Sequence, residues 1–297
     1  MQINDLIIFK SVAENNSFTK AAAATNTVQS NVTARVKFLE SEFNTKLFDR
    51  TSRKMELTAA GIELLKTAKE ILMLIDQTKT SIGGAATTIK GQIKIGCIHT
   101  TAALRAPGIL HGFVEKYPDT EFKLNTGTTA SLIKDVLAHK LDGAFVAGAI
   151  NDERLIVKPI LKEELGIVTS SFVHSIDDLK NMSKPVKLIV FGNGCSYRKH
   201  FEHIIEGWNT SRFSIIEHDT LEGILNSVEA GIGVTLLPVE LIEKHYPYKS
   251  LRVFQLPDET SGVDTVFIKR KDAVMNQAYQ MFFEMITASY GANAPTS

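Results

Sequence analysis

The chain has 297 residues and 44% of them are hydrophobic. This is more than one core usually holds, so we expect two or three domains. The 33 Lys and Arg residues balance the 33 Asp and Glu residues, so a polyanion would have to bind at a local basic patch. Two cysteines are too few for a disulfide framework, the N-terminus MQINDLIIFK lacks the features of a secretory signal, and no apolar run is long enough to span a membrane. We therefore expect a soluble cytoplasmic protein with free thiols and no membrane partner.

Residues 1–58 have the pattern of a small helical domain. An apolar stripe predicts a first helix that ends near Asn15, and Ser17 is the expected N-cap of a second helix over residues 18–24. A third helix follows Asn26, with Thr27 as its expected N-cap. In LFDRTSRKMELT a basic stretch lies between two short apolar pieces, as at the tip of a hairpin. Three helices and a hairpin predict a winged helix-turn-helix.

The third helix, TNTVQSNVTARVKFLE, has an unusual polar face. Its apolar residues recur at helical spacing, but the opposite face begins with hydroxyls and amides instead of the Lys and Glu of a solvated helix. Short side chains of this kind suit the major groove, where Gln pairs with adenine and a Thr methyl contacts thymine. Many solvent-facing helices carry such residues as well. The candidate DNA-reading and anchoring residues on this helix are Gln29, Ser30, Thr33, Arg35 and Lys37.

The predicted hairpin tip is basic. Arg50, Arg53 and Lys54 cluster there, and Arg at such a tip can enter a narrow, electronegative minor groove. An ordinary solvated turn would have the same composition. The combination of a basic tip and a short-polar helix face within one small domain favours DNA binding over that alternative.

Residues 59–88 predict a long linker helix followed by a hinge. Leu64, Ala68, Ile71 and Ile75 recur at alternating four- and three-residue steps, which is typical of a seam for another helix. The seam could pack on its own chain. Because residues 83–86, GGAA, have the composition of a flexible joint, we favour a connecting helix that dimerises.

Residues 89–297 alternate between strand and helix patterns. The segments from GQIKIGCI to LDGAFVAG predict an α/β fold with a doubly wound, mostly parallel sheet. The segment TAALRAPGILHGFVEKYP is predicted as one helix. A second set of strands begins near Leu161, and the chain is expected to return near Val266. We therefore predict lobe I over residues 89–161 and 267–297, lobe II over residues 162–266, and a cleft between them.

Small polar residues follow several of these strands. Ligands of open α/β sheets bind outside the carboxyl ends of the strands, where N–H groups at helix N-termini suit a carboxylate or another anion. Each hydroxyl alone is equally well explained as an ordinary N-cap. The candidate effector-binding residues are Thr100, Thr101, Thr128, Thr129, Cys195, Ser196 and Thr220.

The cysteines allow two chemical hypotheses. Cys195 could be a nucleophile paired with His99 or His200, or it could form a redox pair with Cys97. Small buried thiols are commonly inert, however, and the sequence contains no HExxH, GxSxG, CxxC or Walker motif. We therefore expect no catalytic residues and no metal site.

The chain resembles the LysR-type transcriptional regulators. SFTKAAA at residues 17–23, VQSNVTARVKFLE at 28–40 and KLFDRTSRKMELTAAG at 46–61 are similar to the helix-turn-helix, wing and linker-helix start of that family. TTAALRAP at 100–107, TGTTASLI at 126–133, LDGAFVAG at 141–148 and AGIGVTLLP at 230–238 resemble its effector-binding region, in the same order. One position departs from the family, which often has Ser where Val28 stands; either Thr27 caps the helix instead or Val28 belongs to the core.

The resemblance implies a regulator that binds promoter double-stranded DNA, forms dimers through the linker helix and pairs them into tetramers. It also implies a two-lobed effector domain like the type II periplasmic binding proteins, with a small-molecule effector in its cleft. Together with the polar residues after successive strands, it favours an anionic effector such as a carboxylate, and no other cofactor is expected. RNA polymerase is a further candidate partner. The alternative is a cytoplasmic small-molecule-binding protein or an enzyme that uses the bilobal cleft.

Overall fold

The computed structural model describes residues 1–49, 55–82, 89–180, 185–208, 213–273 and 275–291. The chain divides into two units, Met1–Thr87 and Thr88–Ser297, and each has a hydrophobic core of its own. No helix in the described ranges is both long enough and apolar enough to cross a membrane.

The first unit begins with two helices that the sequence predicts correctly. Helix α1 is Ile3–Asn15, and the next residue, Asn16, ends it in the left-handed conformation with φ of 48°. Helix α2 is Phe18–Ala24. The predicted cap is confirmed, because the Ser17 side chain accepts a hydrogen bond from the Lys20 backbone N–H.

The start of helix α3, Gln29–Glu42, differs from the prediction. The N-cap position is Val28, whose side chain has no acceptor, and no side chain caps the helix. Thr27 Oγ1 instead accepts a hydrogen bond from Asn31 Nδ2 at 2.9 Å. Val28 is not part of the core either, because 65% of its surface is exposed. Both expectations, a Thr27 cap and a buried Val28, are therefore wrong.

A short hairpin and a long helix complete the first unit. Strand β1, Phe48–Asp49, pairs antiparallel with β2, Glu56–Leu57, as expected for a wing. The predicted tip residues Arg50, Arg53 and Lys54 lie outside the described residues. Helix α4 is Ala59–Ile82, and it follows Thr58, whose Oγ1 accepts a hydrogen bond from the Gly61 N–H at 3.0 Å.

Much of the predicted seam on α4 packs against its own unit. Ala68 is fully buried, and Leu64 and Ile71 pack on the core that α1 helps to form. The expectation that Ala68 faces a second helix is therefore wrong, whereas Leu64 and Ile71 are only partly buried and their part in a dimer seam stays a prediction. Ile62 and Leu74 of α4 remain 57% and 53% exposed.

Lobe I of the second unit contains a parallel sheet in which β3 pairs with both β4 and β5. A single predicted helix after β3 is broken at Arg105, because Pro107 lacks an N–H and its ring is incompatible with the preceding turn of a continuous helix. The elements of this part are β3 Gly91–Ile98, α5 His99–Leu104, α6 Ala106–Lys116, β4 Thr120–Gly127, α7 Thr129–Leu137 and β5 Gly143–Ala147.

Two long strands connect the lobes. Strand β6, Leu155–Ser170, runs antiparallel to β11, Gly262–Arg270, and the pairing register shifts between Thr265 and Val266. Thr265 pairs with Leu161 and Val266 with Pro159, so Ile160 has no paired residue on β11. This register shift lies where the sequence predicts that the chain crosses between the lobes, near Leu161 and Val266.

Lobe II is built on the distal half of β6. Strands β9 and β10 pair with β6 in antiparallel fashion, while β7 and β8 are parallel. Helix α13, Gln277–Gly291, packs on lobe I near the chain end. The other elements are α8 Ile176–Lys180, β7 Val186–Val190, α9 Ser196–Glu206, β8 Phe213–Glu217, α10 Leu221–Glu229, β9 Thr235–Pro238, α11 Val239–His245, β10 Leu251–Gln255 and α12 Asp258–Ser261.

The expectation of a mostly parallel sheet is wrong for the second unit as a whole, because only some of its strand pairs are parallel. Parallel pairs join β3 to β4 and β5, and β7 to β8, whereas every described strand pairing of β6 and β11 is antiparallel. The reason is topological: one strand carries the chain into lobe II and the other returns it, so these neighbours must run in opposite directions.

Candidate functional sites

One concave surface runs along the exposed side of α3. It is lined by Gln29, Ser30, Thr33, Ala34 and Lys37. The opposite side of the helix, including Val32 and Val36, is fully buried in the core of the first unit. The structure therefore brings four of the five candidate residues of α3 onto one surface of short polar side chains ending in a lysine. We call the five lining residues, Gln29, Ser30, Thr33, Ala34 and Lys37, the α3 surface.

Arg35, the fifth candidate residue of α3, has a partner within the unit. Its Nη1 donates to Asp5 Oδ1 at 3.1 Å, and the Asp5 side chain is fully buried. Asp5 Oδ2 also accepts the backbone N–H of Gln2 at 2.7 Å. Arg35 therefore links α3 to the start of α1, in addition to any role as an anchor for phosphate. The two residues are thirty positions apart, so helical spacing could not reveal the pair.

Two threonines contact Gln29. Thr33 Oγ1 donates to the Gln29 backbone carbonyl at 2.9 Å, which leaves the methyl group and oxygen lone pairs of Thr33 for other contacts. Thr19 Oγ1 donates to Gln29 Oε1 at 3.1 Å. Thr19 is an exposed residue of α2 that sequence reasoning did not single out.

A narrow recess with a free volume of about 10 Å³ lies between the lobes of the second unit. Lobe I contributes the end of β3 and the start of α7, and lobe II contributes the start of α9. Five of the seven candidate effector residues line the recess: Thr100, Thr128, Thr129, Cys195 and Ser196. The other lining residues are Ile98, His99, Gly127, Ala147, Phe191 and Tyr197.

The hydroxyl groups of the recess bond across it. Ser196 Oγ of lobe II donates to the Ala147 carbonyl of lobe I at 2.6 Å and lies 3.1 Å from Thr129 Oγ1. Thr100 Oγ1 lies 3.4 Å from the Tyr197 hydroxyl, which also joins the two lobes. A ligand that enters must replace these contacts or use the lone pairs and donors that they leave.

Two candidate effector residues do not line the recess. Thr101 follows Thr100 on α5, and a helix turns by about 100° per residue, so its side chain points elsewhere. It is 1% exposed, and its hydroxyl has no hydrogen-bond partner among the described residues. Thr220 is the N-cap of α10, where its side chain accepts from the Gly223 N–H. The observed contact of Thr220 is that of an ordinary N-cap, which was the alternative to effector binding.

The recess carries no formal positive charge in the described structure. His99 is the lining residue with a basic side chain, and its ring stacks on Phe191 with centroids 4.4 Å apart. Burial lowers the pKa of His99, against the opposing influence of Asp219 and Glu222, so the imidazole is neutral at pH 7. Sequence reasoning considered His99 only as a partner of Cys195. Its position directly after β3 is the signal that would have placed it in the recess.

Both thiols are protonated at neutral pH. Burial raises the pKa of Cys97 to about 12, and burial also raises the pKa of Cys195, against smaller effects of the Arg198 and Tyr197 N–H groups. Because the thiolate is the reactive form, the environment of both residues disfavours nucleophilic chemistry.

An ion cluster links the lobes beside the crossing strands. Arg105, between α5 and α6, donates to Glu163 of β6 at 3.2 Å and also pairs with Glu240 of α11. Glu163 is 4% exposed, and burial raises its pKa while Arg105 opposes that shift. The pKa of Glu240 is lowered to about 2, first by its hydrogen bond from Arg105 and then by Lys244. Sequence reasoning missed this cluster because its members lie up to 135 residues apart.

Two family models match consecutive parts of the chain. Residues 3–62 match the bacterial regulatory helix-turn-helix protein, lysR family, and residues 86–291 match the LysR substrate binding domain. The HTH-type transcriptional regulator YusT of Bacillus subtilis is 37% identical over 97% of this chain and 96% of that protein. CzcR of Bacillus cereus is 36% identical over 99% of both chains.

Solved structures have the same fold at lower sequence identity. A full-length OxyR of Pseudomonas aeruginosa has a TM-score of 0.74 and 19% identity over 98% of this chain and 94% of its own. CbnR, solved in complex with its target DNA, has a TM-score of 0.62 and 20% identity over 97% of this chain and 100% of its own. Because both family models match in order and relatives more than one third identical span nearly the whole chain, the protein belongs to the LysR family of DNA-binding transcriptional regulators and is not an enzyme.

Proposed function

We propose that this regulator reads promoter DNA with the α3 surface and responds to a small anionic effector in the recess between its lobes. The observation that carries the first part is the α3 surface itself. An exposed helix face without acidic residues, made of short polar side chains and ending in Lys37, fits the base edges and phosphates of a major groove.

The polar residues of the α3 surface, and Arg35 on the same helix, each have a chemical role in this proposal. Gln29, Ser30 and Thr33 contact base edges, and Lys37 binds phosphate. Arg35 binds a phosphate of the DNA through the guanidinium N–H groups that Asp5 does not accept. The wing residues Arg50, Arg53 and Lys54 would approach the minor groove. This part of the proposal rests on the sequence alone.

Two copies of the chain would present two reading heads to a two-fold-related operator. The exposed Ile62 and Leu74 of α4 are the apolar side chains that a partner helix would cover, in place of the residues that pack inward. Dimers of this kind pair into tetramers in our proposal. The protein acts in the cytoplasm, where its DNA is, and RNA polymerase is a partner through which bound dimers would alter transcription.

The walls of the effector site contain hydrogen-bonding groups without formal charge, most of which bond to one another. The imidazole of His99 and the hydroxyls of Thr100, Thr128 and Ser196 are suited to a small molecule with a carboxylate or a similar acceptor group. Such a ligand would compete with the contacts of Ser196 and Thr100 across the recess, and so shift the population of lobe arrangements. Effector binding and DNA binding are then thermodynamically coupled in both directions.

The DNA-reading proposal is tested with Gln29→Ala. Operators are first selected from random duplexes, and Kd is then measured by fluorescence anisotropy on duplexes altered one base pair at a time. We expect an affinity loss of several-fold, together with lost preference at one base pair, because one hydrogen bond to a base edge contributes about 0.5–1.5 kcal/mol. Gln280→Ala, on the exposed side of α13, is the matched control and should bind as the wild type does. A uniform loss across all duplexes would contradict base reading by Gln29.

The effector proposal is tested by thermal-shift screening of small carboxylates and their neutral amides. We expect a carboxylate to raise the unfolding temperature and its amide to do so less, because the N–H and O–H donors of the recess favour a charged acceptor. The dose curve of the active compound should weaken in Thr128→Val, and DNA affinity should change with the compound present. Stabilisation by neutral apolar compounds alone would contradict the proposed ligand class.

A further inference from the structure

We infer that Thr19 determines which bases Gln29 accepts: its hydroxyl holds the amide of Gln29 so that the regulator rejects cytosine at the contacted base. This inference rests on the proposed role of Gln29 in reading DNA. Thr19 itself does not read a base. It is a positioning residue that acts through the side chain of Gln29.

The contact joins two helices at well-defined positions. Thr19 is the second residue of α2, whose start is set by the Ser17 cap, and Gln29 is the first residue of α3. Thr19 Oγ1 and Gln29 Oε1 are 3.1 Å apart, and both residues are exposed. The Gln29 backbone is held as well, because its carbonyl accepts the Thr33 hydroxyl. The amide of Gln29 is therefore oriented before any DNA is present.

The chemistry of the contact gives it a direction. Two oxygens at hydrogen-bond distance need a proton between them, and only the threonine hydroxyl carries one. Thr19 therefore donates and Gln29 Oε1 accepts. The other end of the planar amide, Nε2 with its two hydrogens, points away from Thr19. Gln29 consequently presents its Nε2 donors on the α3 surface, while its oxygen is turned towards Thr19, which occupies one of the two lone pairs.

Bases differ in what they offer to such a donor. In the major groove the N7 of both purines, the O6 of guanine and the O4 of thymine accept hydrogen bonds, whereas cytosine presents its N4 amino group. An outward Nε2 facing that amino group would set donor against donor and leave both unpaired. If the Thr19 hydroxyl were removed, the amide could rotate by half a turn and offer Oε1 to cytosine. The discrimination against cytosine would then fall.

Thr19 could instead contact a phosphate. A phosphate contact positions the protein on DNA and carries no base information, so its loss lowers affinity for all duplexes alike. The two roles therefore make different predictions for a set of four duplexes that differ only at the base pair read by Gln29. Base selectivity, rather than affinity, is the quantity that separates them.

The experiment measures Kd for those four duplexes with the full-length protein. The variants are Thr19→Val, which keeps the shape of the side chain without its hydroxyl, Thr19→Ser, Gln29→Ala and the double variant Thr19→Val with Gln29→Ala. Thr25→Val is the matched control, because Thr25 lies in the turn after α2 and donates to the Ala21 carbonyl instead of to Gln29.

We expect the wild type to bind the cytosine duplex about tenfold more weakly than the best duplex. Thr19→Val should reduce that ratio to about threefold, while Thr19→Ser and Thr25→Val should keep it. In the Gln29→Ala background, Thr19→Val should change no ratio. This dependence on Gln29 is the signature of a positioning role.

Three outcomes would overturn the inference. In the first outcome, Thr19→Val leaves the ratio of Kd between the cytosine duplex and the best duplex unchanged, while Gln29→Ala loses its base preference. This would exclude Thr19 as a positioning residue and leave base reading by Gln29 intact. An equal loss on all four duplexes would assign Thr19 to a phosphate. No change of preference in Gln29→Ala at any position would overturn the proposed reading role together with this inference.

Discussion

The two candidate sites of this regulator are built from the chain in opposite ways. The α3 surface takes its residues from one helix, within positions 29–37, and their side chains face outward. The recess takes its residues from positions 98–197, on both lobes, and their side chains bond to one another. One site exists as soon as a helix forms, whereas the other exists only when distant elements meet.

Because of this difference, substitutions at the two sites should affect different properties, DNA recognition at the α3 surface and folding stability at the recess. A substitution on the α3 surface removes few contacts within the folded chain, so it should change DNA recognition at little cost in folding free energy. A substitution at the recess or at the nearby ion cluster should change stability as well, because the same groups hold the lobes together. Three variants test this contrast, from the largest expected effect to the smallest.

Arg105→Met should have the largest effect. It leaves the buried carboxylate of Glu163 without its cation, and removing one partner of a buried ion pair costs about 3 kcal/mol of unfolding free energy. The fluorescence of Trp208, the single tryptophan of the chain, reports the urea unfolding of lobe II. Arg154→Met is the matched control and should leave the curve nearly unchanged, because Arg154 pairs with Asp152 in solvent.

The cost of Arg105→Met should also depend on pH. In the wild type the pKa of Glu240 is lowered to about 2, so its contribution is present above the ordinary pKa near 4.5 and is lost as pH falls towards 2. In the variant, Glu163 without Arg105 would take up a proton more readily, and a neutral carboxyl needs no cation. The Glu163 effect makes the cost smaller at pH 4.5 than at pH 8, and the Glu240 effect lowers it further only below pH 4.5. A second substitution, Glu163→Gln, should restore part of the unfolding free energy of Arg105→Met at pH 8. If the loss of unfolding free energy were the same at both pH values and with either residue at position 163, Arg105→Met would have removed packing contacts alone.

Ser196→Ala should have an intermediate effect. It removes the hydroxyl that donates to the Ala147 carbonyl, and the expected loss is about 1–2 kcal/mol of unfolding free energy, again followed by Trp208. Ser214→Ala, at an exposed position of β8, is the control and should be neutral. If Ser196→Ala were equally neutral, the hydroxyl contacts across the recess would not hold the lobes, and the contrast between the two sites would fail.

Val28→Ser should have the smallest effect and the opposite sign. It supplies the N-cap that α3 lacks, so the first amides of α3 should be more protected from hydrogen exchange, by about 1 kcal/mol of local opening free energy. Val28→Ala is the matched control, because alanine is no better as a cap. If both variants gained equal protection, the cause would be the loss of an exposed β-branched residue rather than capping.

Much of the first unit could be predicted from its sequence because its signals are local. The bounds of α2 and its cap at Ser17 follow from contacts within three residues, and the polar face of α3 follows from helical periodicity. The exception is also local: a Thr27 cap was inferred from residue type, but its hydroxyl bonds Asn31 instead. In the second unit the alternation of strands and helices predicted the two lobes, and crossings near Leu161 and Val266 stay a prediction beside the register shift observed there.

The sequence by itself therefore determined the three helices and hairpin of the first unit, the alternation of strands and helices in the second, and the outward polar chemistry of α3. Only the tertiary structure decided that Thr100 lines the recess while Thr101 does not, that Arg35 pairs with Asp5, and that Arg105 holds Glu163 and Glu240. The physical reason is range. Hydrogen bonds and periodicity within a helix act over three or four residues, whereas these contacts join groups up to 135 residues apart and form only when helices and strands pack.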